Sequence, residues 1–137
     1  MLDKATREML RERIGITDKD MDKLGPGIAK LELASSELMK YKIIAEVTDS
    51  KYCFLGVKVG DKIVIKHGTI SKEETTCPLC LRAIGPLTPF VNVILDRIAE
   101  GVDPNDMVFR NSECLDPGLE HGGLGKVRFK IYTEKIG

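Results

Sequence analysis

The spacing of apolar positions changes along the chain, and each change predicts an element. Residues 3 to 14 place Ala5, Met9, Leu10 and Ile14 near one helical face, with Lys4, Arg7, Glu8, Arg11 and Glu12 outside it. Gly15 predicts the stop. Thr17 predicts the N-cap of a second short helix whose first turn carries Asp18 and Asp20 and whose apolar face is Met21 and Leu24. Gly25-Pro26-Gly27 predicts a break, and a third helix is predicted from about Ile28 to Met39, burying Ile28, Leu31, Ala34 and Leu38. From Tyr41 the pattern becomes that of strands, with Lys42 to Val47 as one and Lys62 to Ile65, after the Gly60-Asp61 turn, as another. His67 to Thr76 reads as a connection.

Cys77-Pro78 predicts a helix start with Cys77 as N-cap, because proline at the first helical position sacrifices no hydrogen bond. Gly85-Pro86 predicts an interruption and Thr88-Pro89 a restart, followed by an apolar stripe of Phe90, Val91, Ile94, Leu95 and Ile98. Met107 to Phe109 and Val127 to Tyr132 predict two more strands, separated by a glycine-rich loop from Cys114 to Gly125. This order predicts an α+β fold: a small, mainly antiparallel sheet packed on a broken helical segment, with a helical N-terminal arm. The arm takes residues 1–40 and the cysteine-containing body residues 41–137. Three short helices bury little by themselves, so the arm is expected to pack on the body or on a second copy, as the contact of a homodimer.

Composition narrows the function classes. The 137 residues suffice for one ordinary core. Lys and Arg number 21 against 21 Asp and Glu, leaving no global field to recruit nucleic acid, and the arm lacks a row of Arg, Asn or Gln for reading bases. With three Tyr, four Phe and no Trp, the core is expected to be aliphatic. The charged N-terminus lacks a signal-peptide pattern, and no apolar run is long enough for a bilayer, which predicts a soluble, cytoplasmic protein. In a reducing compartment cysteines more often stay thiols, bind metal or do chemistry than form disulfides.

The chain has four: Cys53, Cys77, Cys80 and Cys114, with 23 residues between the first two and 33 between the last two. Each stands at the end of a predicted element, where small sheets gather their loops. One reading is a metal site using Cys53, Cys80 and Cys114 with Cys77 as a further ligand or, where Cys77 points away, His121 or Asp116, zinc favoured over an iron–sulfur cluster; His67 is a weaker donor. A second is thiol–disulfide exchange, with Cys77 at a helix N-terminus attacking and Cys80 resolving, as in the Cys-Pro-Tyr-Cys of glutaredoxins. The polar run Lys72 to Thr76 before the motif departs from the thioredoxin-like order, and Thr88-Pro89 follows too soon for that fold's cis-proline. A third is an interaction module whose cysteines are core residues. Gly122-Gly123-Leu124-Gly125 precedes a strand and so is no dinucleotide fingerprint. Nothing in the pattern decides whether the chain is an enzyme.

Taken together, Cys53-x-x-Gly56-x-x-x-Gly60-Asp61, Pro78-Leu79-Cys80 opening a helix and Cys114-x-Asp116 before a closing strand resemble a small, poorly characterised family of bacterial and archaeal proteins. The resemblance spans about residues 41 to 134, with the arm as an extension. It implies a prokaryotic protein with a three-cysteine site of Cys53, Cys80 and Cys114, Cys77 being dispensable, and it implies no particular reaction.

Overall fold

A computed structural model describes residues 2–136. Helix α1 spans Lys4–Ile14, capped by the Asp3 carboxylate, which accepts the Thr6 N–H, and closed by Gly15 in the left-handed conformation. Thr17 caps α2, Asp18–Met21, through the Asp20 N–H. Pro26 does not break the next helix but opens it: α3 is Pro26–Leu33, and Ala34 separates it from the single turn α4, Ser35–Leu38. The predicted continuous helix to Met39 is therefore two pieces. Leu2, Leu10, Met21 and Ala29 form a small buried cluster of their own, flanked by Met9, Ile16 and Leu24. Arg7 bridges Asp18 and Asp22, and Arg11 bridges Asp18, tying α1 to α2.

Strands β1 (Tyr41–Lys51), β2 (Lys62–Lys66), β3 (Thr69–Ile70), β4 (Asn111–Glu113) and β5 (Lys126–Lys135) form one antiparallel sheet in the order β3-β2-β1-β5-β4. One face alternates as a half-buried sheet must: Ile43, Ala45 and Val47, then Ile63 and Ile65, then Val127, Phe129 and Ile131. Against it lies α5, Leu81–Ala99, through Ala83, Leu87, Ile94 and Ile98, with Phe90 and Val91 at the margin. The α+β expectation of a small antiparallel sheet on a helical segment describes this architecture.

Three local expectations are corrected. The helix is not broken, since α5 runs unbroken through Pro86 and Pro89. Proline removes its own N–H but not the helical φ, so a helix packed along its length on a sheet keeps its path. Met107 to Phe109 is not a strand; Val108 and Phe109 are exposed, and β4 begins at Asn111. His67 and Gly68, both at positive φ, make the two-residue turn of a β2–β3 hairpin where a plain connection was predicted.

On the opposite sheet face Ile44 and Val64 are buried side by side, near Tyr132, whose hydroxyl donates to Glu46 and is pushed up to about 12 by burial and that carboxylate. At the β2 edge, Glu74 pairs with Lys66 and with Lys42 at 3.0 Å. The Lys66 hydrogen bond first, then that of Lys42, holds the Glu74 carboxyl down to about 2, against an ordinary 4.5. These pairs stabilise the fold fully above the ordinary carboxylate range and are lost as pH falls through about 2. The stability difference between wild type and Glu74→Gln in denaturant unfolding should therefore shrink steadily below about pH 4.5; a difference independent of pH would contradict this role.

Candidate functional site

The four cysteines come from three stretches of the chain and line one cavity of about 460 Å³ at one end of the sheet. Each is positioned by its own polar restraint. Cys53 follows β1 and Tyr52, a residue at φ 58, and its carbonyl accepts the Gly56 N–H in a tight turn. The turn is anchored by the Ser50 hydroxyl, which donates to the Val57 carbonyl at 2.5 Å.

Cys77 is set by Thr76, which lies against β2. The Thr76 N–H donates to the Lys62 carbonyl, the Lys62 N–H donates to the Thr76 hydroxyl, and that hydroxyl donates to buried Asp61 at 3.1 Å. Asp61 is thus more than the predicted turn residue, because it links the β2 turn to the segment that carries Cys77. Burial pushes the Cys77 thiol above its ordinary range, and the charges of Asp61 and Cys53 push the same way.

Cys80, not Cys77, is the N-cap of α5, and Pro78 lies before the helix rather than at its first position. The Cys80 carbonyl starts the helix by accepting the Ala83 and Ile84 N–H groups. The premise of the thiol-exchange reading, a Cys77 thiolate stabilised at a helix N-terminus, does not hold in this geometry.

Cys114 leaves β4 paired to β5. Its N–H donates to the Val127 carbonyl, and its Sγ accepts the Val127 N–H at 3.3 Å. Two residues on, the Asp116 carboxylate accepts the backbone N–H groups of Gly118, Leu124 and Gly125 at 2.9–3.0 Å. Those hydrogen bonds, led by Gly118, lower its pKa below the usual range. The Lys126 ammonium donates to the carbonyls of Cys114 and Asp116. With its oxygens engaged this way, Asp116 serves as the folding centre of the loop rather than as a free donor.

The glycines of this loop answer to close approach. A Cβ on Gly125 would stand 2.4 Å from the Tyr52 carbonyl oxygen and 2.9 Å from the Cys53 Cα. One on Gly123 would stand 2.0 Å from an Asp116 oxygen. Backbone contact at Gly125 is therefore what brings the Cys114 loop against Cys53.

A further link was not legible in the sequence. Pro86 has no N–H for the Arg82 carbonyl four residues earlier, and that carbonyl instead accepts the Leu115 N–H at 3.0 Å. The proline expected to break the helix thus exposes an acceptor that ties its first turn to the Cys114 loop.

His121 and His67 are not gathered in. His121, in a 3₁₀ turn at Leu119–His121, lines a separate depression with Lys51, Tyr52 and Glu120, and His67 forms its hairpin turn. Among the described residues no three His, Cys, Asp or Glu side chains stand close enough to hold a single metal ion, and all four cysteines are free thiols, half-buried. No helix among the described residues is long and apolar enough to cross a membrane. Neither a protein-family model, nor a curated protein, nor a solved structure matches the chain.

Replacing Gly125 by alanine forces the two loops apart. Overpacking of this kind costs about 1–3 kcal/mol, to be read as a lower denaturant midpoint; wild-type stability in Gly125→Ala would contradict the close approach.

Proposed function

We propose that the chain binds a metal group through this cavity, an iron–sulfur cluster ahead of a lone zinc ion. The observation that carries the reading is the convergence of Cys53, the Cys77–Cys80 pair and Cys114, three stretches distant in sequence, on one chamber. Zinc needs its donors within about 2.0–2.3 Å of a single point, and among the described residues no three such side chains are grouped to share one. A cluster carries its thiolate ligands around a wider body, so sulfurs on the walls of one chamber suit it better. Cys53, Cys80 and Cys114, the three that the family resemblance singles out, are the proposed ligands, with Cys77 as fourth. His121 is left out because it faces another depression.

Thiols must lose their protons to ligate, and Cys77 holds its proton above the ordinary thiol range. Loading through Cys77 therefore releases a proton and weakens as pH falls. Protein purified without oxygen should contain iron and acid-labile sulfide in stoichiometric amounts and show broad visible absorbance. Cys53→Ser, Cys80→Ser and Cys114→Ser should each lose it, while Cys77→Ser should keep part of it with a shallower pH dependence of loading. Protein free of iron and sulfide would sink the cluster; zinc alone in stoichiometric amount would return the site to the single-ion form.

A homodimer through the arm is the second element of the proposal. Ile14 on α1, Ile28 and Leu33 on α3, and Met39 just after α4 are exposed apolar side chains that a second copy of the chain would cover. Sedimentation should give twice the chain mass, falling to the chain mass in Ile28→Glu; a monomeric wild type would refute it.

A further inference from the structure

The cavity is larger than its sulfurs require. A volume of about 460 Å³ falls within the roughly 300–1,000 Å³ of pockets that hold small organic molecules. Its walls are mainly apolar: Val57, Ile63, Val127 and Phe129 are buried lining residues, while Phe54 and Leu124 are exposed ones. Phe54 is 91% exposed, a large aromatic surface at a pocket wall with nothing packed over it.

Two charged side chains line this space, Arg82 and Asp116, and they are not equivalent. The Asp116 carboxylate is engaged by three backbone N–H groups, and the Arg82 charge is only the last of the causes that lower its pKa. The Arg82 guanidinium has no hydrogen-bond or ion-pair partner among the described residues; its residue is exposed, while its backbone is anchored in the first turn of α5, where its carbonyl accepts the Leu115 N–H. An unpaired guanidinium, with its planar fork of donors, beside a mainly apolar pocket selects ligands that combine a carboxylate with a hydrocarbon body.

We propose that the cavity binds a small amphipathic carboxylate, its head on the Arg82 guanidinium and its apolar tail against Phe54, Val57 and Leu124. A metal group on the cysteines would share this chamber, so the carboxylate site is a property of the metal-free protein and stands on the cavity and on Arg82. Three probes separate its parts: hexanoate carries head and tail, 1-hexanol the tail alone, and acetate the head alone.

Titration of the full chain, followed by calorimetry, should give saturable binding of hexanoate at least about tenfold tighter than of 1-hexanol or acetate, as a charge-assisted bidentate contact provides. Arg82→Gln should bind hexanoate and 1-hexanol alike, Arg82→Lys should keep part of the preference, and Arg128→Gln, a control on an exposed Glu113 pair, should match wild type. Arg82 is exposed at its side chain, and unchanged melting temperatures would show that the variants fold. Equal affinity of wild type for hexanoate and 1-hexanol, full hexanoate binding by Arg82→Gln, or no saturable binding would each overturn the proposal. Iron and sulfide measured on the same samples keep the two readings apart, because hexanoate selectivity in metal-free protein supports the carboxylate site whatever becomes of the cluster.

Discussion

Asp116 accepts hydrogen bonds from the backbone of Gly118, Leu124 and Gly125, and the shape of the cavity depends on that carboxylate. An ionised carboxylate can take several N–H donors at once, and each such bond is stronger than its neutral counterpart. Here the three donors are spread over eight residues of loop, so one side chain replaces the ladder that an irregular segment lacks. The loop so folded offers Gly125 as bare backbone to Tyr52 and Cys53. Lys126 closes the arrangement from the start of β5 by donating to the carbonyls of Cys114 and Asp116.

The other walls are tied in by the same economy of backbone groups. Pro86 leaves the Arg82 carbonyl without its helical donor, and Leu115 supplies one from the Cys114 loop. Asp61 reaches through the Thr76 hydroxyl to the segment that carries Cys77. Each cysteine backbone is therefore held by polar contacts made next to it, while the thiols themselves make few. Cys114 Sγ receives the Val127 N–H, and Cys77 Sγ stands 3.9 Å from the Lys62 carbonyl. A rigid frame around sparsely engaged sulfurs is what a ligand-binding chamber requires, since ordering has been completed before the ligand arrives. The Arg82 backbone belongs to the same frame through its carbonyl, which accepts the Leu115 N–H.

Much of the frame was legible because periodic burial writes itself into sequence. Ile43, Ala45 and Val47 alternate on β1, and Ile94 and Ile98 repeat at helical spacing on α5, so the layers follow from pattern alone. Gly15 and Thr17 mark helix ends by chemistry that acts within a turn. The errors fall where a local signal met a distant partner. Pro86 reads as a breaker until the sheet beneath α5 and the Leu115 donor are known. Val108 and Phe109 have the residue types of a strand but no neighbouring strand to pair with, and pairing passes to Asn111–Glu113.

The candidate site was legible as a set of sulfurs and not as a space. Element ends hinted that Cys53, Cys80 and Cys114 would meet, and they do share one cavity. Nothing in a one-dimensional pattern separates His121 from them, because a loop's direction is fixed by bonds such as those of Asp116 and not by spacing. Arg82 was invisible for the same reason: one arginine among many charges becomes distinctive only when its neighbours are known to leave it unpaired. The claim on which the functional reading turns is that the sulfurs of this chamber ligate iron. X-ray absorption at the iron edge, on protein purified without oxygen, tests it most directly. A first shell of sulfur with a short iron–iron vector is the predicted result; a shell of oxygen and nitrogen alone, or no bound iron, would contradict it.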